Sequence, residues 1–117
     1  MNQTTLTIGV SGLDEVKRRM KTAFHGKAEV TPRYTFQSAQ AMARTLTPNR
    51  WGLIVAMAGA GPLGVRELAR RVGRDVKGVH TDTQALASCG LIDKTDGGKL
   101  LFPYNHVRVQ FDVHAAA

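Results

Sequence analysis

The stretch PLGVRELARRVGRDVKGVHTDTQALASCGLIDKTDGGK, residues 62–99, decides how this chain is read. Val65, Leu68, Ala69 and Val72 recur at i, i+3, i+4 and i+7, with Arg66, Glu67, Arg70 and Arg71 on the intervening sides. That period lays an apolar stripe along one face of a helix and leaves the other faces charged. Gly73 stops the helix. Asp75 then stands where a side-chain oxygen can accept from the open amides of a second helix. In that second helix the spacing turns Val76, Val79, Thr83 and Leu86 inward and Lys77, Gly78, His80, Thr81 and Gln84 outward. Gly90 closes it. A strand over residues 91–95, a polar turn over residues 96–99 and a strand over residues 100–104 make a hairpin.

Two short helices joined by a glycine turn and followed by a hairpin give the element order of a winged helix-turn-helix. Upstream, Thr47 caps a helix whose first residue is Pro48, a position that tolerates the missing amide and fixed φ of proline. Trp51, Ile54, Val55 and Ala58 share a face of it, and it ends in Gly59-Ala60-Gly61-Pro62. Near the start of the chain Leu6, Ile8 and Val10 alternate with Thr5, Thr7 and Gly9, the period of a half-buried strand. Ser11 caps a helix with Asp14 in its first turn. Its stripe is Leu13, Val16, Met20 and Phe24, flanked by Lys17, Arg18, Arg19 and Lys21, and it runs to His25-Gly26. Residues 27–33 read as a loop, Tyr34-Thr35-Phe36 as a short strand, and Ser38 as the cap of a helix through Ala39, Met42 and Leu46.

At the other end Val107, Val109, Phe111 and Val113 alternate with Arg108, Gln110, Asp112 and His114, the cleanest strand pattern in the chain. Well-patterned strands are not left with open edges, so the two terminal strands pair with one another or with those of a second copy. The expected class is α+β, a winged helix-turn-helix with an N-terminal strand-helix extension and a C-terminal strand. The extension covers residues 1–46 and packs with the C-terminal strand, and residues 47–117 form the DNA-binding unit.

With 117 residues, 43% of them hydrophobic, the chain supports one modest core. Its best apolar run, residues 53–58, falls far short of the roughly 20 residues that cross a bilayer. The amino-terminal stretch lacks a basic segment followed by an apolar one, so a cytoplasmic location is expected. The net charge of +7 is uneven: residues 1–49 and 50–80 carry +4 each, and residues 81–117 carry −1. Such an excess on one part of the chain points to a polyanion-binding face.

Other chemistries have weak signals. Cys89 stands alone among Ala85, Leu86 and Ala87, the setting of a packing residue, and it excludes an intramolecular disulfide. His25, His80, His106 and His114 are widely separated, with no pair at metal-ligand spacing, so neither a metal nor a cofactor is expected. Asp14 and Glu15 diverge on a helix, Ser11 lies in no nucleophile elbow, and Gly59-Ala60-Gly61 lacks the lysine of a phosphate loop. No catalytic residues are assigned. The basic flanks of the helix over residues 13–24 would suit a membrane surface, but core packing explains its stripe more simply.

The outward side chains of the second helix can exchange hydrogen bonds with base edges in a major groove. Arg74, Lys77, Gly78, His80, Thr81 and Gln84 are the candidate reading residues, Gly78 by letting the backbone approach. Arg50, Arg66, Arg70 and Arg71 suit phosphates, and Lys94 and Lys99 would set the hairpin against the sugar-phosphate backbone. An ordinary solvated helix face is the plain alternative.

The run Arg50-Trp51, Gly61-Pro62-Leu63, Arg66-Glu67-Leu68-Ala69-Arg70-Arg71, Gly73-Arg74-Asp75-Val76-Lys77, Val79-His80, Asp82, Ala85-Leu86 and Gly90-Leu91-Ile92 resembles the small prokaryotic winged-helix proteins described as predicted transcriptional regulators. These are related in form to the MarR and ArsR groups. The likeness is greatest to a haloarchaeal-named family described as DNA-binding, and it covers most of the chain, including Phe102-Pro103-Tyr104 and the final strand. The resemblance implies a homodimeric repressor of transcription bound to double-stranded DNA. Members often lie beside a small toxin gene, so it also implies an alternative: an antitoxin-like module that masks a small protein partner, with DNA binding secondary. Thr81 and Gln84 depart from the pattern, which has basic residues there.

Overall fold

The computed structural model describes residues 4–10 and 32–112. The helix expected over residues 13–24 and the strand positions from Val113 onward lie outside the described residues, as do His25 and His114.

Three of the four described helices begin where a side-chain oxygen meets the open amides of the first turn. Helix α1 (Ala39–Thr45) starts behind Ser38, whose Oγ accepts from Ala41 N at 3.0 Å. Helix α2 (Pro48–Met57) starts behind Thr47, whose Oγ1 accepts from Arg50 N at 3.3 Å. Helix α3 (Val65–Val72) has the uncapped Gly64 before it and stops at Gly73, whose φ of +70° is the left-handed region that favours glycine. Helix α4 (Val76–Ser88) starts behind Asp75, whose Oδ2 accepts from Gly78 N at 3.0 Å.

These helices surround the main part of the core, with α2, α3 and α4 packed pairwise on one another. Leu53, Ile54 and Met57 enter it from α2, Leu68 and Ala69 from α3, and Val79, Thr83 and Leu86 from α4. Two residues expected on inward faces are not there: Val55 is 72% exposed and Val76 is 37% exposed. Leu53 and Met57 sit one residue before Ile54 and three after it, so the buried stripe of α2 is rotated away from Val55. Val76 belongs to the first turn of α4, before the helix passes under its neighbours.

After α4 the chain forms β3 (Asp93–Lys94) and β4 (Leu100–Leu101), an antiparallel pair shorter than the expected hairpin strands. Its turn uses Gly98 at φ +80°. Leu63, just before α3, joins the same ladder by exchanging two backbone hydrogen bonds with Leu100, at 2.8 and 2.7 Å. Leu91, Ile92, Leu100 and Phe102 thereby close the core beneath α3 and α4.

The second sheet has strand order β2-β1-β5, from β1 (Thr5–Val10), β2 (Arg33–Phe36) and β5 (His106–Gln110), and both pairings are parallel. The two terminal strands therefore meet within one chain. A parallel pair needs a crossover of about a dozen residues or more, and residues 11–32 provide that length between β1 and β2. Register places Ile8 beside Tyr34 and Val109, and Leu6 beside Val107, so these residues share the apolar face. Leu6, Ile8 and Phe36 are buried in the common core. The Tyr34 hydroxyl donates to the carbonyl of Cys89 at 2.6 Å, tying this sheet to the end of α4. No described helix is long and apolar enough to cross a membrane.

Tyr34→Phe keeps the ring that packs on Phe36 and leaves the Cys89 carbonyl without this donor. The expected loss is about 1–2 kcal/mol in urea unfolding. Burial, with the neighbouring Cys89, pushes the Tyr34 hydroxyl up to about 12. The folded chain therefore holds that proton longer than the unfolded chain, whose tyrosine titrates at about 10. The resulting contribution is complete below pH about 10 and lost as pH rises through about 12, and Tyr34→Phe should flatten this alkaline decline.

Candidate nucleic-acid interface

Lys77, His80, Thr81 and Gln84 stand at i, i+3, i+4 and i+7 on α4 and so form one row along its outer side. Lys77, His80 and Thr81 are exposed, and Gln84 is half-buried. Two contacts order the row from within. Thr81 Oγ1 donates to the Lys77 carbonyl at 3.1 Å, and the Gln84 amide nitrogen lies 3.3 Å from His80 Nε2, which accepts from it. Arg66, Arg70 and Arg71 are exposed on the preceding helix, α3. Glu67 pairs with Arg70 and, at 3.2 Å, with Arg71 Nε, leaving three guanidinium groups to one carboxylate on this face.

Arg50 and Arg74 were expected to face the ligand, and the structure turns both to Asp82 instead. Arg74 Nη2 lies 2.8 Å from Asp82 Oδ2, and Arg50 Nε lies 3.1 Å from Asp82 Oδ1. Arg50 Nη1 also donates to the Thr45 carbonyl at 3.2 Å. One carboxylate thus joins the end of α1, the first turn of α2, the α3–α4 turn and the middle of α4. Burial alone would push the Asp82 carboxyl up, but the hydrogen bonds from Arg74 and Arg50 outweigh it and hold the group below its ordinary value. Arg74 Nη1 is buried with no hydrogen-bond partner, which makes the pair to Asp82 the main compensation for that guanidinium.

Gly78 has a local role in this arrangement. A Cβ built there would stand 3.2 Å from Arg74 Nη2 and 3.1 Å from Asp75 Oδ1, so glycine spares both side chains a tight contact at the first turn of α4. Lys94 and Lys99 are exposed on the hairpin, and no hydrogen bond or ion pair links their side chains to α3 or α4. Asp82 was the residue that pattern reading missed as an organiser. It sits seven residues beyond the cap Asp75 and four beyond Gly78, on the same side of the helix, and a lone acid in that line opposite two arginines was the available signal. Among the described residues no cluster of His, Cys, Asp or Glu could hold a metal ion.

Helices and small sheets around one core, with exposed arginines on α3 and an exposed polar row on α4, define a small mixed α+β protein. Residues 45–109 match the HVO_A0114 family, and the chain belongs to it. The match runs from the last residue of α1 into β5. No curated protein and no solved structure matches the chain.

Asp82→Asn keeps the shape and removes the charge that both guanidinium groups face. Because all three side chains are at most about a quarter exposed, the expected destabilisation is roughly 2 kcal/mol, measurable by urea unfolding at neutral pH. The lowered folded value makes the wild-type contribution full above the ordinary carboxylate range and lost as pH falls through the folded value. Asp82→Asn should therefore lose part of the acid-side decline in stability.

Proposed function

We propose that this protein is a cytoplasmic, sequence-specific, double-stranded-DNA-binding regulator of transcription, a repressor built as a winged helix-turn-helix of the MarR and ArsR kind. In this reading α3 and α4 are the helix-turn-helix, the β3–β4 hairpin is the wing, and α4 enters the major groove. The observation that carries it is the exposed row Lys77, His80 and Thr81, continued by Gln84, on a helix packed against the arginine-rich α3. Those side chains are long or polar enough to meet base edges, whereas Arg66, Arg70 and Arg71 suit phosphates. Lys94 and Lys99 are exposed on the wing beside the exposed Asp93 and Asp96, and would meet phosphates as single cations. Arg50 and Arg74 act indirectly, by fixing α4 through Asp82.

Counterion release separates these roles. Arg66→Ala and Arg71→Ala should each weaken binding to every duplex and reduce the log–log salt slope by about one. Lys77→Ala or Gln84→Ala should change sequence preference, with about 1–3 kcal/mol of discrimination lost at the base concerned. Fluorescence anisotropy across a salt series, on the protein's own promoter and on scrambled duplex, reads both effects. Wild type and Arg71→Ala with one common affinity at every salt concentration would sink the assignment.

A further inference from the structure

The edge strand β5 leads into apolar side chains that stay partly exposed to solvent. Its apolar positions lie on the same face as Leu6 and Ile8, and Val107 is half-buried against the core. Beyond it Val109 is 43% exposed and Phe111 is 38% exposed. The sheet thus overhangs the helices along β5, and β5 is a terminal strand of its sheet.

The backbone of that edge is also open. His106 N bonds to Thr4 O, so the alternate residues His106, Arg108 and Gln110 direct their peptide groups toward β1. The peptide groups of Val107, Val109 and Phe111 then face away from β1, on a side where no strand lies among the described residues. The segment has no proline and no lysine that would block pairing along this edge. The opposite edge, β2, is only four residues long and begins directly after Pro32.

We propose that β5 pairs antiparallel with β5 of a second copy, about a two-fold axis through Val109, to make a continuous six-stranded sheet. The sequence of the strand is complementary to its own reverse in this register. Val109 faces the partner's Val109, and Phe111 faces the partner's Val107. On the other face of the sheet, Arg108 meets the partner's Gln110 and Asp112 meets the partner's His106. Apolar residues oppose apolar ones, the acid opposes a base or a donor, and no two like charges stand across from each other. Centring the axis on Arg108 would set two guanidinium groups face to face. Pairing β5 with β2 of another copy would leave an edge open at each end and grow without limit. The two-fold pairing stands whether or not α4 enters a DNA groove.

Sedimentation equilibrium and cysteine cross-linking test the proposal. Wild type should be a dimer at micromolar concentration. Val109→Lys, which sets two ammonium groups opposite each other at the axis, should be a monomer with an unchanged circular dichroism spectrum, since the side chain it replaces is already partly solvated. In a Cys89→Ser background, Val109→Cys should form an intermolecular disulfide on mild oxidation, because a hydrogen-bonded antiparallel pair places its Cα atoms about 5.5 Å apart, within disulfide reach. Val55→Cys, at a more exposed position on α2, should not cross-link comparably. A monomeric wild type, a Val109→Lys protein that remains dimeric, growth beyond the dimer, or equal cross-linking through position 55 would each overturn it.

Discussion

A single carboxylate, Asp82, fixes how the helices of this protein stand to one another. It is held by Arg74 from the turn before α4 and by Arg50 from α2, and all three side chains are mostly withdrawn from water. The attraction matters because its alternative is poor: without Asp82 two guanidinium groups would lie in a partly desolvated place with too few acceptors, and Arg74 Nη1 already lacks one. The pairs of Glu67 with Arg70 and Arg71 differ in kind. They lie on one helix at the surface, where water screens them and side-chain entropy opposes them, so they tune the charge of α3 without determining where it sits.

The same constraint explains residues that otherwise look unrelated. Gly78, a poor choice inside a helix by propensity, spares Arg74 and Asp75 a tight contact. Thr45 ends α1 with a carbonyl that takes the second Arg50 donor, so the start of α2 is anchored from both sides. At the far end of α4 the Cys89 carbonyl takes the Tyr34 hydroxyl, and this attaches the three-stranded sheet to the helices. Helix α4 is therefore restrained at its middle by charge and at its end by a neutral hydrogen bond.

What the sequence disclosed follows from the range of the forces involved. The caps Ser38, Thr47 and Asp75 and the stop at Gly73 are decided by atoms a few residues apart, and the structure has them where the pattern places them. The buried trio Val79, Thr83 and Leu86 was equally readable, because a period near 3.6 records a face. Val55 and Val76 were misplaced because periodicity gives a face only to within a residue or so, and neighbouring helices decide which edge of it is covered. The pairing of β1 with β5, in parallel, joins residues about a hundred apart, and an alternating pattern says nothing about direction or partner. Of the candidate contact residues, Lys77, His80 and Thr81 are on the surface as expected, whereas Arg50 and Arg74 could not be told from surface arginines until Asp82 was placed between them.

The hydrogen bonds within α4 limit what its outer row could read in a groove. Thr81 uses its hydroxyl proton on the Lys77 carbonyl, so toward a base it keeps only lone pairs, which suit the amino groups of adenine or cytosine. Lys77 has the reverse character: it only donates, and the paired acceptors of guanine suit it best. Gln84 gives one amide proton to His80 and keeps its carbonyl oxygen and a second proton, enough for a two-point contact with adenine. His80 Nδ1 has no side-chain partner within α4 and is open to a contact of its own. One helix face thus presents a donor, an acceptor and a mixed group in sequence. In the proposed reading such a row would discriminate among base pairs while the arginines of α3 supplied most of the attraction to the duplex.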